Sequence, residues 1–169
     1  MKKSKAPDFP DNPEATDTET RVTPDDHQSV RVWLRLLACT NLIEGHVRSR
    51  LRTQFDTTLP RFDLMAQLER VPEGLKMGDL SKRMMVTGGN VTGITDQLVA
   101  EGLVVREDNP ADRRAYIVKL TPEGRRVFKG MAEAHERWIL RLFAGVKESE
   151  KQQLYSLLAV LKKNVSDAL

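Results

Sequence analysis

The segment "GLVVREDNPADRRAYIVKLTPEGRR", Gly102 to Arg126, contains the features that decide the fold. Its two runs "LVVRE" and "AYIVKL" are rich in β-branched residues and are typical of short strands. The insert between them, "DNPADRR", is polar and turn-prone, so the strands are predicted to form an antiparallel hairpin. Directly afterwards, Thr121 and Pro122 are preferred residue types for the N-cap and the first position of a helix. The segment therefore predicts a charged hairpin that leads straight into a helix.

Two short helices are predicted immediately before the hairpin. The segments "LKMGDLSKRMMV" and "TGGNVTGITDQLVAEG" carry them, with a tight link around Met85 to Thr87. Thr87 is a suitable N-cap for the second helix, and Gly102 is a suitable residue to end it. A compact helix pair followed by a two-stranded ribbon is the plan of a winged helix-turn-helix.

Longer amphipathic helices flank this central region. The first begins near Asp25, with Asp25 or Asp26 as its cap, and is followed by a "DTTLP" break and a short helix over "RFDLMAQLER". Two closing helices are predicted over about 122–145 and 147–167. Apolar residues recur every three or four positions in the first helix (Leu36, Cys39, Ile43, Val47, Leu51 and Phe55) and in the last (Leu154, Leu158, Leu161 and Val165).

The predicted fold class is mainly α, with a small β contribution (α+β). Residues 59–121 are expected to form the winged helix-turn-helix lobe. The helices within 25–58 and 122–169 carry more apolar surface than one small lobe can cover, which predicts that they form a homodimerisation region. Residues 1–24 hold half of the eight prolines and almost no large apolar side chains, so a disordered tail is predicted there.

The second helix of the pair has two different faces. Val91, Ile94 and Leu98 fall on one side and are predicted to pack against Leu80 and Met84 of the preceding helix. The opposite side has small and hydrogen-bonding residues, which suit close approach to a DNA major groove. The alternative is a helix merely weakened by its glycines, each of which costs about 1 kcal/mol relative to alanine. The residues predicted to contact DNA here are Thr87, Gly88, Gly89, Asn90, Thr92, Gly93 and Asp96.

The hairpin tip carries three charged residues, Asp112, Arg113 and Arg114. Residues two apart in an extended segment project to the same side, so Asp112 can form an ion pair that directs Arg114 outward. A guanidinium suits the narrow minor groove of DNA, where the potential is most negative, and Arg113 can contact a backbone phosphate. A solvated turn explains the hairpin alone equally well. Next to a helix-turn-helix, the tip is predicted to be a DNA-binding wing.

Two segments carry a family resemblance. "LSKRMMVTGGNVTGITDQLVAEGLVVRE" and "NPADRRAYIVKLTPEGRRVF", the latter with a wing signature of Asp-Arg-Arg followed by Leu-Thr-x-x-Gly, resemble the MarR family of transcriptional regulators over about residues 30–167. The resemblance implies a cytoplasmic homodimer that binds a pseudo-palindromic double-stranded DNA operator, usually as a repressor, and that a small aromatic effector releases. Many members have an arginine directly after the helix threonine, where this chain has Gly93, so the operator sequence is not transferable by analogy.

A narrower resemblance concerns the effector. "FDTTLPRFDLMAQLER" with "MMVTGGNVTGITDQL" looks like the branch that controls catabolism of aromatic acids, which implies a small aromatic acid or an aryl-CoA thioester as the effector. Arginines of the first helix would bind the CoA phosphates, and a solvated basic helix face is the alternative. An apolar cavity is predicted between the dimer interface and the lobe. The residues predicted to bind the effector are Trp33, Leu37, His46, Arg48, Arg50, Arg52, Phe62, Met65 and Trp138.

Other classes of protein are poorly indicated. The sequence has no catalytic constellation and no Cys/His cluster with metal-ligand spacing, so no enzyme, cofactor or metal is predicted. No apolar run is long enough to span a membrane, and no secretory signal is seen. The single cysteine, Cys39, is expected to be an inert residue of the apolar stripe, which disfavours the alternative of a redox-sensing regulator. A winged helix that docks a protein is the other alternative, and its binding would depend weakly on salt.

Overall fold

The structure is a computed structural model that describes residues 27–109 and 116–169. The predicted tail (1–24), the predicted caps Asp25 and Asp26, and the hairpin tip with Asp112, Arg113 and Arg114 lie outside the described residues. The chain divides into two compact units, one that ends at His46 and one that runs from Val47 to Leu169. Among the described residues, no helix combines the length and the apolar character needed to cross a membrane.

The first unit contains the first part of a long helix, α1 (Gln28–Phe55). Ala38 is its buried hydrophobic residue, with 5% exposure, whereas Trp33 and Leu42 are 56% and 72% exposed. Cys39 is exposed as well. The expectation that Cys39 is a buried member of the apolar stripe is therefore wrong. A step of one residue rotates a side chain by about 100° around a helix, so Ala38 takes the buried position and Cys39 does not.

The second unit begins with the last turns of α1 and continues with three helices, α2 (Leu59–Glu69), α3 (Met77–Met84) and α4 (Gly88–Ala100). α2 starts two residues before the predicted "RFDLMAQLER" and has Pro60 in its first turn, where a missing N–H costs nothing. Met85 turns the chain between α3 and α4 with a left-handed φ of 53°. The Ser81 hydroxyl donates to the Val86 carbonyl oxygen at 2.6 Å and fixes this turn. The predicted tight link is confirmed.

Three strands form one antiparallel sheet in the order β1–β3–β2, with β1 at Leu75–Lys76, β2 at Val104–Asp108 and β3 at Tyr116–Leu120. β2 and β3 are the predicted hairpin, which is confirmed. The prediction of helix at Leu75 and Lys76 is wrong, because Leu75 pairs with Val118 after Gly74 has turned the chain with a φ of 93°. A strand of two residues is too short to show an alternating pattern in the sequence.

The core of the second unit joins the helices to the sheet. Phe62 of α2 contributes a ring whose centroid lies 5.5 Å from that of Phe128 and 5.1 Å from that of His135. The side chains that are exposed by 1% or less are mostly aliphatic, as expected for a core that excludes water: Leu51, Leu64, Met65, Leu68, Leu80, Val91, Thr95, Leu98 and Val118.

Two long helices close the chain, α5 (Pro122–Leu142) and α6 (Glu148–Ala168). α5 ends three residues before the predicted boundary at 145, and Thr121 caps its start by accepting the Gly124 N–H at 2.9 Å. α6, all of whose residues are described, buries none of them. Its predicted seam residues are exposed by 37% to 48%: Leu154, Leu158, Leu161 and Val165. The fold is the predicted mainly α winged-helix arrangement with a small antiparallel sheet.

Candidate nucleic-acid interface

One face of α4 is completely buried. Val91, Thr95 and Leu98 each have 0% exposure, as does Leu80 of α3. The prediction is confirmed for Val91 and Leu98, but Ile94 is only half-buried and Thr95 takes the central buried position instead. The Thr95 hydroxyl donates to the Val91 carbonyl oxygen at 2.7 Å, so its polar group is satisfied inside the core. The buried face fixes which side of α4 is open to solvent.

The opposite face of α4 is small and open. Outside the helix's own backbone, a Cβ atom placed on Gly88, Gly89 or Gly93 would meet no atom of the described residues within 4 Å. Another surface can therefore approach the helix backbone closely on this side. All the residues of this helix predicted to contact DNA are exposed: Thr87, Gly88, Gly89, Asn90, Thr92, Gly93 and Asp96.

Thr87 stands at the N-cap of α4 but makes no side-chain cap hydrogen bond. The prediction that its side chain caps the helix is therefore wrong, although its position at the helix start is confirmed. The first N–H groups of a helix have no partner within that helix, and together with the helix dipole they favour an anion. The exposed start of α4 has the chemistry that binds a phosphate oxygen.

Two of the exposed polar side chains of α4 also have partners within the protein. The Asp96 carboxylate forms an ion pair with Arg106 of β2 at 2.6 Å, with 56% of the Asp96 side chain and 29% of the Arg106 side chain exposed. This pair links the hairpin to α4, so Asp96 helps to set the position of the strand beside the helix. The Thr92 hydroxyl donates to the Gly88 carbonyl oxygen at 3.0 Å, and its methyl group remains for an apolar contact.

A groove of about 730 Å³ lies beside the open face of α4. One wall is α4 itself, and the other comes from the end of α1 and the start of α2. The groove brings together two sets of residues that the sequence assigned to different sites: Gly89, Asn90 and Gly93, predicted to contact DNA, and Arg48 and Arg52, predicted to bind the effector. Arg50, also predicted for the effector, does not line it.

The remaining residues predicted for the effector fall into two groups. Phe62, Met65 and Trp138 are core residues of the second unit, exposed by 7%, 1% and 5%. Trp33, Leu37 and His46 belong to the first unit. His135, which the sequence did not single out, lies between the rings of Phe62 and Trp138, and burial lowers its pKa below the ordinary value.

Sequence reasoning missed Arg61. This side chain also lines the groove, and it forms an ion pair with Glu101, the residue directly after α4. Its Nε atom is buried and has no hydrogen-bond partner among the described residues. No local pattern marks Arg61, because its importance depends on Glu101, which is forty positions further along the chain.

Comparison with known proteins gives consistent matches. A family model described as "MarR family" matches residues 55–115. A solved MarR family transcriptional regulator from Silicibacter pomeroyi is 34% identical, with a TM-score of 0.67, and the match covers 83% of this chain and 95% of that chain.

Two further solved structures share the fold at lower identity. Sco3205, a MarR family transcriptional regulator from Streptomyces coelicolor solved in complex with DNA, is 22% identical with a TM-score of 0.73, covering 84% of this chain and 91% of that chain. CouR from Rhodococcus jostii RHA1, solved bound to p-coumaroyl-CoA, is 22% identical with a TM-score of 0.68, covering 79% of this chain and 92% of that chain. At this identity the two likenesses show the fold.

Proposed function

Because the chain belongs to the MarR family of transcriptional regulators, we propose that it binds a pseudo-palindromic operator in double-stranded DNA as a cytoplasmic homodimer. It acts as a repressor, and a small aromatic acid or an aryl-CoA thioester releases it from the operator. The family membership accounts for transcriptional regulation. The proposal goes beyond the family membership in four points: the operator, the homodimer, repression and the effector.

The observation that carries DNA binding is the contrast between the two faces of α4. Val91, Thr95 and Leu98 are fully buried, while the other side presents small or hydrogen-bonding residues with open space around its glycines. Asn90 is the exposed side chain best suited to read a base, since an amide can pair with an adenine edge in the major groove. The fold is shared with Sco3205, which was solved in complex with DNA.

The homodimer is supported by the exposed apolar residues of α6. Leu154, Leu157, Leu158 and Leu161 are exposed by 44%, 68%, 37% and 38%, on a helix that buries no residue of its own. An isolated helix is marginal in water, and most helical stability comes from packing of an apolar face. A second copy of the chain would cover this face by two-fold symmetry, and a two-fold dimer binds a DNA site of matching symmetry.

The effector is supported by the fold shared with CouR, which was solved with p-coumaroyl-CoA, and by the arginines at the end of α1. Arg48 and Arg52 line the groove beside α4, where a carboxylate or phosphate would find charge-assisted hydrogen bonds. A ligand that prefers one arrangement of the dimer shifts DNA affinity by its differential affinity, typically about 1–3 kcal/mol. A screen of aromatic acids and their CoA thioesters for thermal stabilisation would identify the class.

The two alternatives lack comparable support. Cys39 is exposed, so burial does not argue against a redox-sensing role. It is the single cysteine of the sequence, however, and therefore cannot form an intrachain disulfide. The matched relatives are named as transcriptional regulators, which does not favour a protein-docking module.

Selection from a pool of random-sequence duplexes tests the proposal. The selected duplexes should contain an inverted repeat with half-sites about 10 base pairs apart, because two recognition helices of a dimer enter successive major grooves. Binding should weaken steeply with salt as counterions are released from phosphates. No enrichment of any sequence, or binding that is insensitive to salt, would contradict the proposal.

A wing variant adds a second test. We expect Arg114→Ala to weaken binding to the selected duplex and to lower the slope of log K against log salt by about one, since one phosphate or groove contact is lost. Arg137→Ala is the matched control, because Arg137 is an exposed arginine of α5. If both variants lost the same DNA affinity, the loss would be explained by the reduced total charge of the protein, and the specific wing contact would be contradicted.

A further inference from the structure

Arg61 and Glu101 connect two helices of the second unit. Arg61 lies in the first turn of α2, and Glu101 directly follows α4. The Arg61 Nη2 group donates a hydrogen bond to the Glu101 carboxylate, and the two groups form an ion pair. The contact therefore joins the start of one helix to the end of another that is distant in the sequence.

The Arg61 end of this ion pair is largely shielded from water. The Arg61 side chain is 16% exposed, against 45% for Glu101. By contrast, the pair of Arg126 with Glu123 joins neighbours on one helix, and both of its side chains are mostly exposed. Water and salt screen exposed pairs strongly and shielded pairs less. The pair of Arg61 with Glu101 is therefore better able to hold two elements in a fixed relative position.

The chain just beyond Glu101 is also held from another side. The Thr121 hydroxyl donates to the Gly102 carbonyl oxygen at 2.8 Å, and the Thr121 N–H donates to the Leu103 carbonyl oxygen at 3.1 Å. The end of α4 is therefore fixed to α2 through Glu101 and to the start of α5 through the two residues that follow.

The tilt of α4 determines where its exposed side chains lie. Thr95 is buried near the middle of the helix, with Asn90 on one side of it and Glu101 on the other. At about 1.5 Å of rise per residue, Asn90 is about 7.5 Å from Thr95 along the axis. A tilt of about 10° around Thr95 would move Asn90 by about 1.3 Å, more than the range of roughly 0.5 Å in N–H···O distances. A base contact by Asn90 therefore depends on what holds the far end of the helix.

We propose that Arg61 is a positioning residue for DNA recognition, which holds α4 through Glu101 at the tilt that lets Asn90 reach a base. The inference rests on the proposed function, because it concerns the orientation of a DNA-reading helix. Arg61 acts through Glu101 and makes no contact with the duplex itself. Glu101 therefore strengthens recognition although its charge repels phosphates.

The role of Glu101 predicts an outcome opposite to that of simple electrostatics. Removal of an acidic charge from a DNA-binding protein should tighten binding to any duplex, because phosphates are negative. We expect Glu101→Ala instead to bind the selected duplex about fivefold more weakly, the effect of a partly lost base contact, with no loss for a random duplex. The control Glu136→Ala removes an exposed acidic charge of α5 and should weaken neither interaction.

Substitutions of Arg61 separate positioning from stability. The Arg61 Nε is buried and has no hydrogen-bond partner among the described residues, which opposes folding, and methionine and lysine both lack this group. Arg61→Met keeps an apolar stem and should fold with little loss of stability, because an apolar residue can often replace a buried ion pair. It should still lose discrimination, the ratio of the affinities for the selected and the random duplex. Arg61→Lys keeps the charge opposite Glu101 and should retain most of that ratio.

The measurements are thermal unfolding of the full-length variants and their DNA affinities at several salt concentrations. A lower ratio in Glu101→Ala and Arg61→Met, with an unchanged slope of log K against log salt in Arg61→Met, supports the inference. The double variant should lose no more than either single variant, because both break one contact. If Arg61→Met does not fold, the comparison of Glu101→Ala with Glu136→Ala decides alone.

Three results would overturn the inference while DNA recognition stands. The slope could fall by about one in Arg61→Met, which would mean that Arg61 itself contacts a phosphate. Glu101→Ala could bind the selected duplex as tightly as the wild type or more tightly. Glu136→Ala could lose as much discrimination as Glu101→Ala. A wild-type protein that does not distinguish the selected duplex from the random one would instead contradict the proposed function, and the inference with it.

Discussion

The start of α5 and the open face of α4 both depend on glycine, for opposite reasons. A Cβ on Gly124 would lie 1.9 Å from the Leu103 carbonyl oxygen, whereas a Cβ on Gly93 would meet no other part of the described structure within 4 Å. Gly124 is required because two segments of backbone pack against each other. Gly93 is not required by any contact within the described residues, and it weakens the helix that contains it. Gly124 is therefore needed for folding, whereas Gly93 keeps the exposed surface of α4 open.

The largest effect is expected for Gly124→Ala. The Leu103 carbonyl oxygen accepts the Thr121 N–H at 3.1 Å, so it cannot withdraw from a new methyl group without breaking that bond. We expect a loss of about 3 kcal/mol or more in the free energy of unfolding, since overpacking against backbone cannot relax through a rotamer change. Urea unfolding measures it. A variant as stable as the wild type would show that the start of α5 is not closely packed against the backbone of Leu103.

Two of the N-cap threonines, Thr121 of α5 and Thr87 of α4, make a finer comparison. The Thr121 hydroxyl accepts from the Gly124 N–H and donates to the Gly102 carbonyl oxygen at 2.8 Å, whereas Thr87 makes no cap hydrogen bond. We expect Thr121→Ala to cost about 1–2 kcal/mol of stability and Thr87→Ala to cost almost none. Thr87→Ala should instead weaken DNA binding. Equal losses of stability in the two variants, measured by thermal unfolding, would refute the distinction.

Gly93→Ala should change stability in the opposite direction to Gly124→Ala. Alanine is favoured over glycine in a helix by about 0.5–1 kcal/mol, and the space around Gly93 is open. We expect higher stability together with weaker DNA binding, because the methyl group lies on the reading face. Gly130→Ala in α5 is the control, because the added Cβ also meets none of the described residues within 4 Å; it should gain similar stability and leave DNA affinity unchanged. A less stable Gly93→Ala variant would mean that the glycine is needed for folding.

The smallest effect concerns pH and the buried side of α5. Burial lowers the pKa of His135 below its ordinary value of 6.5, so folding disfavours the protonated form of this imidazole. Between the lowered pKa and 6.5 the unfolded chain binds more protons, and stability therefore falls as pH falls through that window and is unaffected above it. We expect His135→Phe, which keeps an aromatic ring beside Phe62, to lose less stability below pH 6.5 than the wild type. Parallel curves of melting temperature against pH would contradict this.

The local features of the fold were predictable because they depend on neighbours in the sequence. The hairpin strands, the cap at Thr121 and the turn at Met85 follow from residue types a few positions apart. The errors have the same origin. β1 has only two residues, and it is a strand because it pairs with β3, which is distant in the sequence. Cys39 is next to the buried Ala38 in the helix, and the apolar pattern of the sequence does not show which of the two is buried.

The candidate site was predictable in part. The exposed residues of α4 could be chosen from a helical wheel, because Val91 and Leu98 mark the buried side. The meeting of Arg52 with Asn90 and Gly93 in one groove depends on tertiary packing and has no signal in the local sequence. The same holds for the ion pair between Asp96 and Arg106. The DNA role of the wing arginines stays a prediction, because their positions lie outside the described residues.

The most direct test of the account is the affinity of Asn90→Ala for the selected duplex. Asn90 is exposed on the open face of α4, so its truncation should not reduce stability, and the loss of a paired base contact should weaken binding by about tenfold or more. Gln54→Ala, which removes an exposed amide from α1, should bind like the wild type. A stable Asn90→Ala protein that binds the selected duplex as tightly as the wild type would contradict the assignment of α4 as the DNA-reading helix.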